Sequence, residues 1–144
     1  MKNNKKGFTL IELLAVIVIL AIIALIATPI VLQIIAKARK SAAQDSLYGV
    51  MSAAKTTYMS SLLDTTPIDL PMTVTCDGKS CYYAITDEGA ANEERSNIEF
   101  SGTIPTSGSF TVDNEGRIQA TTAPIVVNGF KCTIDAKEAV SCVD

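Results

Sequence analysis

The spacing of apolar residues changes twice along this 144-residue chain. Residues 13–27 are fifteen consecutive apolar positions, Thr28-Pro29 interrupts them, and residues 30–36 continue with Gln33 as the one polar side chain. As a helix, the 24 residues 13–36 span about 36 Å, enough to cross a hydrocarbon layer of about 30 Å. The pattern then narrows to a stripe. Ala43, Leu47, Val50, Met51, Ala54, Tyr58 and Leu62 recur at helical spacing, with Lys40, Gln44, Asp45, Ser52, Lys55 and Thr56 on the other faces. Gly49 weakens this helix by about 1 kcal/mol without ending it. Asp64-Thr65-Thr66-Pro67 ends it, and Pro29, lacking a backbone donor, is expected to kink it.

From residue 67 the period falls to two. Leu70, Met72, Val74 and Cys76 alternate up to Asp77-Gly78-Lys79-Ser80, and Cys81-Tyr82-Tyr83-Ala84-Ile85 returns. Phe110 and Val112 are expected to meet Ile118 and Ala120 across Asp113-Asn114-Glu115-Gly116. Residues 125–134 read as one run to a turn at 135–138, and residues 139–143 close the chain. The pattern predicts three hairpins of one antiparallel sheet with a solvated face, and an acidic loop at 87–97. So small a sheet needs an apolar cover, and the 43–62 stripe is the helix available for it. The expected fold class is α+β: a long N-terminal helix, apolar in its first half (8–36) and amphipathic in its second (37–66), packed on a small antiparallel sheet head (67–144).

The overall hydrophobic content of 48% and net charge of −3 conceal a division. Residues 1–60 carry seven Lys/Arg against two acids, and residues 61–144 carry five against thirteen. Lys2, Lys5 and Lys6 ahead of the apolar run orient the amino end toward the cytoplasm, while Lys37, Arg39 and Lys40 beyond it weaken that bias. Histidine and tryptophan are absent, which excludes Ser-His-Asp and Cys-His pairs, HExxH zinc sites and histidine proton shuttles. Gly78-Lys79-Ser80 ends like a phosphate-binding loop, but Thr73 stands where that loop needs glycine. Residues 113–116 lack the twelve-residue calcium loop and its closing glutamate. Basic and aromatic residues do not interleave in the second half, so a nucleic-acid groove is not supported. The expectation is a non-enzymatic chain with no cofactor and no metal.

Cys76, Cys81, Cys132 and Cys142 suggest two disulfides formed in an oxidising compartment. A two-residue turn at Gly78-Lys79 puts Cys76 opposite Cys81 at a non-hydrogen-bonded position, with Cα atoms about 4.5 Å apart. Cys132 faces Cys142 if their hairpin has a three-residue loop at 136–138. A zinc site on the four thiolates is the alternative, against which stands the lack of any C-x2-C pair.

Three readings compete for the apolar segment. A removable secretory signal wants a short stretch and a small-x-small cleavage site, and Ala36-Lys37-Ala38 follows a stretch too long for one. A plain membrane anchor suits the length but gives Glu12 no purpose. A carboxylate one turn into such a helix costs about 2.5–3.5 kcal/mol, less near the interface, so it must snorkel or be paired.

Lys6-Gly7-Phe8-Thr9-Leu10-Ile11-Glu12-Leu13-Leu14 followed by a bilayer-length apolar run resembles the prepilin signature of type IV pilins and pseudopilins. The resemblance covers about residues 1–60; the rest matches only the pilin architecture. It implies that a membrane prepilin peptidase removes the leader 1–7 after Gly7 on the cytoplasmic side. The new amino terminus, Phe8, is then N-methylated, and the apolar helix is retained. It further implies that Glu12 pairs with the Phe8 ammonium of a neighbouring subunit and sets the axial register, the alternative being an intrachain i,i+4 pair. The helices would form a filament axis with the heads outside, and Pro29 would mark where the helix loosens on packing. The implied partners are copies of the chain, minor pilins, the peptidase/methylase, a membrane assembly platform with its ATPase, and the membrane. The subunit would sit as a single-pass protein in the cytoplasmic membrane, head outside, and then in an extracellular surface filament for adhesion, motility or DNA uptake. Loss of Lys2, Lys5 and Lys6 takes the formal charge from −3 to −6. A pseudopilin of a secretion or competence machine and a membrane-anchored binding module are the rival readings.

Overall fold

The computed structural model describes residues 7–63, 68, 71–85 and 94–144. Lys2, Lys5 and Lys6, the helix stop at 64–67, Leu70 and residues 87–93 of the acidic segment lie outside the described residues. The fold is α+β. One helix, α1 (Leu10–Ser61), precedes seven short strands: β1 (Met72–Cys76), β2 (Cys81–Ile85), β3 (Glu94–Ile98), β4 (Gly108–Val112), β5 (Ile125–Val127), β6 (Phe130–Ile134) and β7 (Val140–Val143).

The chain divides into two compact units, Met1–Ala38 and Arg39–Asp144. In the first, the apolar side chains of α1 are exposed around its whole circumference, Ile17, Ile23 and Leu25 among them. A helix apolar on every side finds no partner in its own unit and needs an apolar medium or other helices around it.

In the second unit the stripe has its partner. Ala43, Leu47, Val50, Met51, Ala54 and Tyr58 share one core with Met72 and Val74 of β1, Phe110 and Val112 of β4, and Ile125, Val127 and Ile134 of β5 and β6. Strand alternation delivers this: in β1 Met72, Val74 and Cys76 point inward while Thr73 is exposed. Leu62 departs from the expected stripe. It is exposed and Ser61 is buried instead, because the helical row through Leu47, Val50, Ala54 and Tyr58 next reaches position 61. The Ser61 hydroxyl is satisfied by donating to the Tyr58 carbonyl at 2.7 Å.

The expected single sheet of three hairpins is two antiparallel sheets, one in the order β3-β2-β1-β4 and one in the order β5-β6-β7. Three local differences produce this. Residues 125–134 are not one run, because Asn128 and Gly129, at φ 52° and 85°, form a tight turn that separates β5 from β6. Asn-Gly is the residue pair such hairpin turns favour, and the apolar residues on both sides conceal it. β4 pairs along its whole length with β1, from Met72↔Val112 to Cys76↔Gly108. The expected 110–112 with 118–120 hairpin survives as the single bridge Val112↔Ile118 and a Gln119 N–H bond to the Thr111 carbonyl. Residues 94–97, read as part of an acidic loop, belong to β3, which pairs with β2 from Cys81↔Ile98 to Ile85↔Glu94. An edge strand needs backbone pairing on one side only, so a run with Ile98 as its one apolar residue can form it.

The sheets meet where Ser107 bridges Val126 and Thr106 N–H donates to the Val126 carbonyl at 2.7 Å. Polar groups on α1 cap strand and turn backbone. Gln44 Nε2 donates to the Val140 carbonyl at 3.0 Å, the Val140 N–H donates to Tyr48 Oη at 2.9 Å, and Tyr58 Oη donates to the Asn114 carbonyl at 2.8 Å. The outer edge of β7 is thereby occupied by helix side chains.

Candidate functional site

The first turn of α1 is built by Thr9 and Glu12. The Thr9 N–H donates to Glu12 Oε2 at 2.9 Å, the Thr9 hydroxyl donates to the same oxygen at 2.7 Å, and the Glu12 N–H reaches back to Thr9 Oγ1 at 3.4 Å. Thr9 is the N-cap and Glu12 the third helical residue, the reciprocal arrangement of a capping box. It answers the question Glu12 posed as a lone carboxylate. Its charge is held by two donors and lies beside the positive end of the helix dipole. The Thr-x-x-Glu spacing announces this cap in the sequence, but attention to the apolar run hides it.

Gly7 and Phe8 precede the cap in non-helical backbone, and Phe8 is 90% exposed. A side chain added at Gly7 would meet no atom within 4 Å. The Gly7–Phe8 peptide therefore stands clear of the helix, next to the capped carboxylate. Farther along, α1 runs through Pro29 as one helix, and the Thr28 hydroxyl donates to the Ala24 carbonyl at 2.6 Å.

The cysteines lie elsewhere, in the second unit. Cys76 and Cys81 are disulfide-bonded across the β1–β2 turn, and Cys132 and Cys142 across β6 and β7, each pair in direct register. Thiols joined in two separate sheets are not available as zinc ligands. The first turn is set by Asp77, whose Oδ1 accepts the N–H groups of Lys79 and Ser80 at 2.9 Å each. Those donors, Ser80 first, hold its carboxyl below the usual range. In the second hairpin the Glu138 N–H donates to Asp135 and the Asp135 N–H to Ala139, leaving 136–138 as a three-residue loop.

Glu138 is a residue that sequence reasoning missed. From the left-handed region at φ 62° it places Oε1 on the Ile118 N–H at 2.8 Å and pairs Oε2 with Lys55 of α1. The Lys55 hydrogen bond first, then the Ile118 N–H, hold its carboxyl below the ordinary glutamate range. Nothing in local sequence pairs positions 83 residues apart. Among the described residues there is no group of three or more metal-ligating side chains.

Residues 2–28 match a family model described as the prokaryotic N-terminal methylation motif. The chain carries the class III signal peptide of type IV pilins. The methylation motif takes in Gly7, Phe8, the Thr9–Glu12 cap and most of the apolar half of α1, ending one residue before Pro29. Comparison with curated proteins and with solved structures gave no match. An N-methylation motif continuous with an apolar helix fits a type IV pilin-like subunit that is anchored in the membrane before assembly and processed by a prepilin peptidase.

Proposed function

We propose that this chain is a structural subunit of a type IV pilus-like surface filament. The observation that carries this reading is the methylation motif leading into an α1 segment whose apolar side chains are exposed on every side, while the helix stripe beyond residue 42 is already buried against strands. A helix surface left bare over that length is either in lipid or against copies of itself, and a filament subunit needs both in turn.

In this reading the prepilin peptidase cuts after Gly7, removing residues 1–7, and the Phe8 amine is methylated. The new ammonium lies at the membrane surface. Glu12 is satisfied inside the chain by Thr9, which lowers the cost of holding a carboxylate one turn into the bilayer. In the fibre the Glu12 carboxylate also accepts the Phe8 ammonium of a neighbour. A buried pair of this kind adds little net stability, but leaving one partner unpaired costs several kcal/mol, so it selects the axial offset at which both charges meet. Pro29 and Thr28 mark where α1 loosens as subunits pack. Copies of the chain, minor pilins, the assembly platform and its ATPase are the partners this function requires. The role is structural rather than catalytic.

Mass spectrometry of the protein from its own cells tests the processing: a chain beginning at N-methylated Phe8 supports the reading, and one beginning at Met1 refutes it. Glu12→Ala tests the register. It should be processed normally yet give no filaments when it is the sole subunit, and normal filaments would remove the register argument.

A further inference from the structure

A cleft of about 580 Å³ opens in the second unit, within the roughly 300–1,000 Å³ of small-ligand sites. Its wall draws on three parts of the chain: Lys55 of α1, Asp113, Arg117 and Gln119 after β4, and Lys137 and Glu138 of the β6–β7 loop. Residues 61–144 hold five Lys/Arg against thirteen acids, yet two of those five, joined by Lys55, meet here. Hydrogen bonding leaves this wall one-sided. Its carboxylates are occupied inside the protein. Asp113 Oδ1 accepts the Glu115 and Arg117 N–H groups at 2.9 Å each, and its Oδ2 lies 3.5 Å from Arg117 Nε. Glu138 accepts the Ile118 N–H through one oxygen and pairs with Lys55 through the other. The donors are not occupied. Among the described residues the Lys137 ammonium and the Gln119 side-chain amide have no partner, and the Arg117 ion pairs engage Nε and Nη2 but not Nη1. The Arg117 charge is felt at the cleft, since after Lys55 and the Ile118 N–H it helps to hold the Glu138 carboxyl down. What the wall lacks is an acceptor. No aromatic side chain lines it, so it offers a flat ring nothing to stack on.

We propose that this cleft binds a small polar ligand through an oxyanion group, a carboxylate or a phosphate, held by Lys137, Arg117 and Lys55. Bonds from ionised donors to an oxyanion are the stronger class of hydrogen bond, and the guanidinium and ammonium groups here supply them. Asp113 and Glu138 are pinned by backbone N–H groups, so the wall is set before a ligand arrives and little ordering is left to oppose binding. Every residue of the site belongs to the second unit, so the proposal does not depend on the filament reading.

The test titrates the isotope-labelled full chain, in detergent micelles at fixed ionic strength, with glucuronate, glucose 6-phosphate or neutral glucose. Nuclear magnetic resonance reads the amide shifts. Those of Gln119, Lys137 and Glu138 should move along a saturable curve with at least one of the anionic sugars and not with glucose. The anion that saturates at lower concentration names the group the cleft takes. Lys137→Gln should weaken that binding about threefold, the scale of one solvent-exposed ion pair. The backbone N–H of Lys137, not its side chain, bonds Asp135 in the turn, so this variant keeps the fold. Lys131→Gln, an exposed β6 position outside the cleft, should leave the binding unchanged. Shifts that never saturate, equal shifts with glucose, or a saturable response that Lys137→Gln does not alter each overturn the site. Equal weakening in the two lysine variants overturns it as well, because general attraction of anions to surface lysines then accounts for the shifts.

Discussion

Glu138, in the turn between β6 and β7, pairs with Lys55 near the middle of the amphipathic half of α1, 83 residues earlier in the chain. The same carboxylate accepts the Ile118 N–H, so one side chain ties the helix, the segment after β4 and the last hairpin together. Because its folded pKa lies below the ordinary glutamate value, its contribution to stability is present above that value and is lost as pH falls through the depressed one. The pair is partly exposed, so Glu138→Gln, which keeps an acceptor for Ile118, should cost about 1 kcal/mol or less. Glu138→Ala also strands the N–H and should cost about 1–3 kcal/mol. Urea unfolding at neutral pH and in acid checks both; the gap between the chain and the glutamine variant should narrow as the carboxylate protonates.

Thr9 should behave as a cap whose loss is felt locally. Thr9→Val removes the hydroxyl that both donates to Glu12 Oε2 and accepts the Glu12 N–H, at a cost of about 1 kcal/mol. Thr9→Ser should retain the cap. Amide hydrogen exchange in detergent micelles, read at Thr9 and Glu12, should speed up in the valine variant alone.

Gly116 sits at φ 76°, and a Cβ placed there lies 2.8 Å from Cε1 of Tyr58. That ring is held by its bond to the Asn114 carbonyl and cannot swing aside without breaking it. Gly116→Ala should therefore destabilise by about 1–3 kcal/mol. Gly129 has a similar φ of 85° but nothing within 4 Å, so Gly129→Ala should cost only the backbone term, about 1 kcal/mol. Thermal unfolding of the two variants should rank them in that order.

The disulfides should act through the unfolded chain. They close sequence separations of 5 and 10 residues, and removal of either, as Cys76→Ser/Cys81→Ser or Cys132→Ser/Cys142→Ser, should cost about 2–3 kcal/mol. The wider loop should cost more by about 0.6 kcal/mol. Denaturant midpoints of the two double variants measure the difference, and reductant should leave the corresponding bridge-free variant unaffected at the lost site.

Local chemistry made much of this protein legible from residue order. Fifteen apolar residues in a row admit only a helix that needs apolar surroundings, and the stripe from Ala43 to Tyr58 admits only a helix with one buried side. The turn at Gly78-Lys79 sets Cys76 opposite Cys81 because a two-residue loop fixes strand register. The Thr9–Glu12 cap belongs with these, since every atom in it lies within one helical turn.

Tertiary structure decided the rest, and the reason is range. β4 pairs along its whole length with β1 and keeps only one bridge to Ile118, with Phe110 and Val112 in the core that the helix stripe shares, an outcome that no local spacing encodes. β3 forms from a polar run because β2 offers it a row of backbone groups. Glu138 finds Lys55, and Tyr48 finds Val140, because two packed elements bring them within hydrogen-bond reach. Periodicity specifies which face of an element is buried; only the folded chain specifies what that face is buried against.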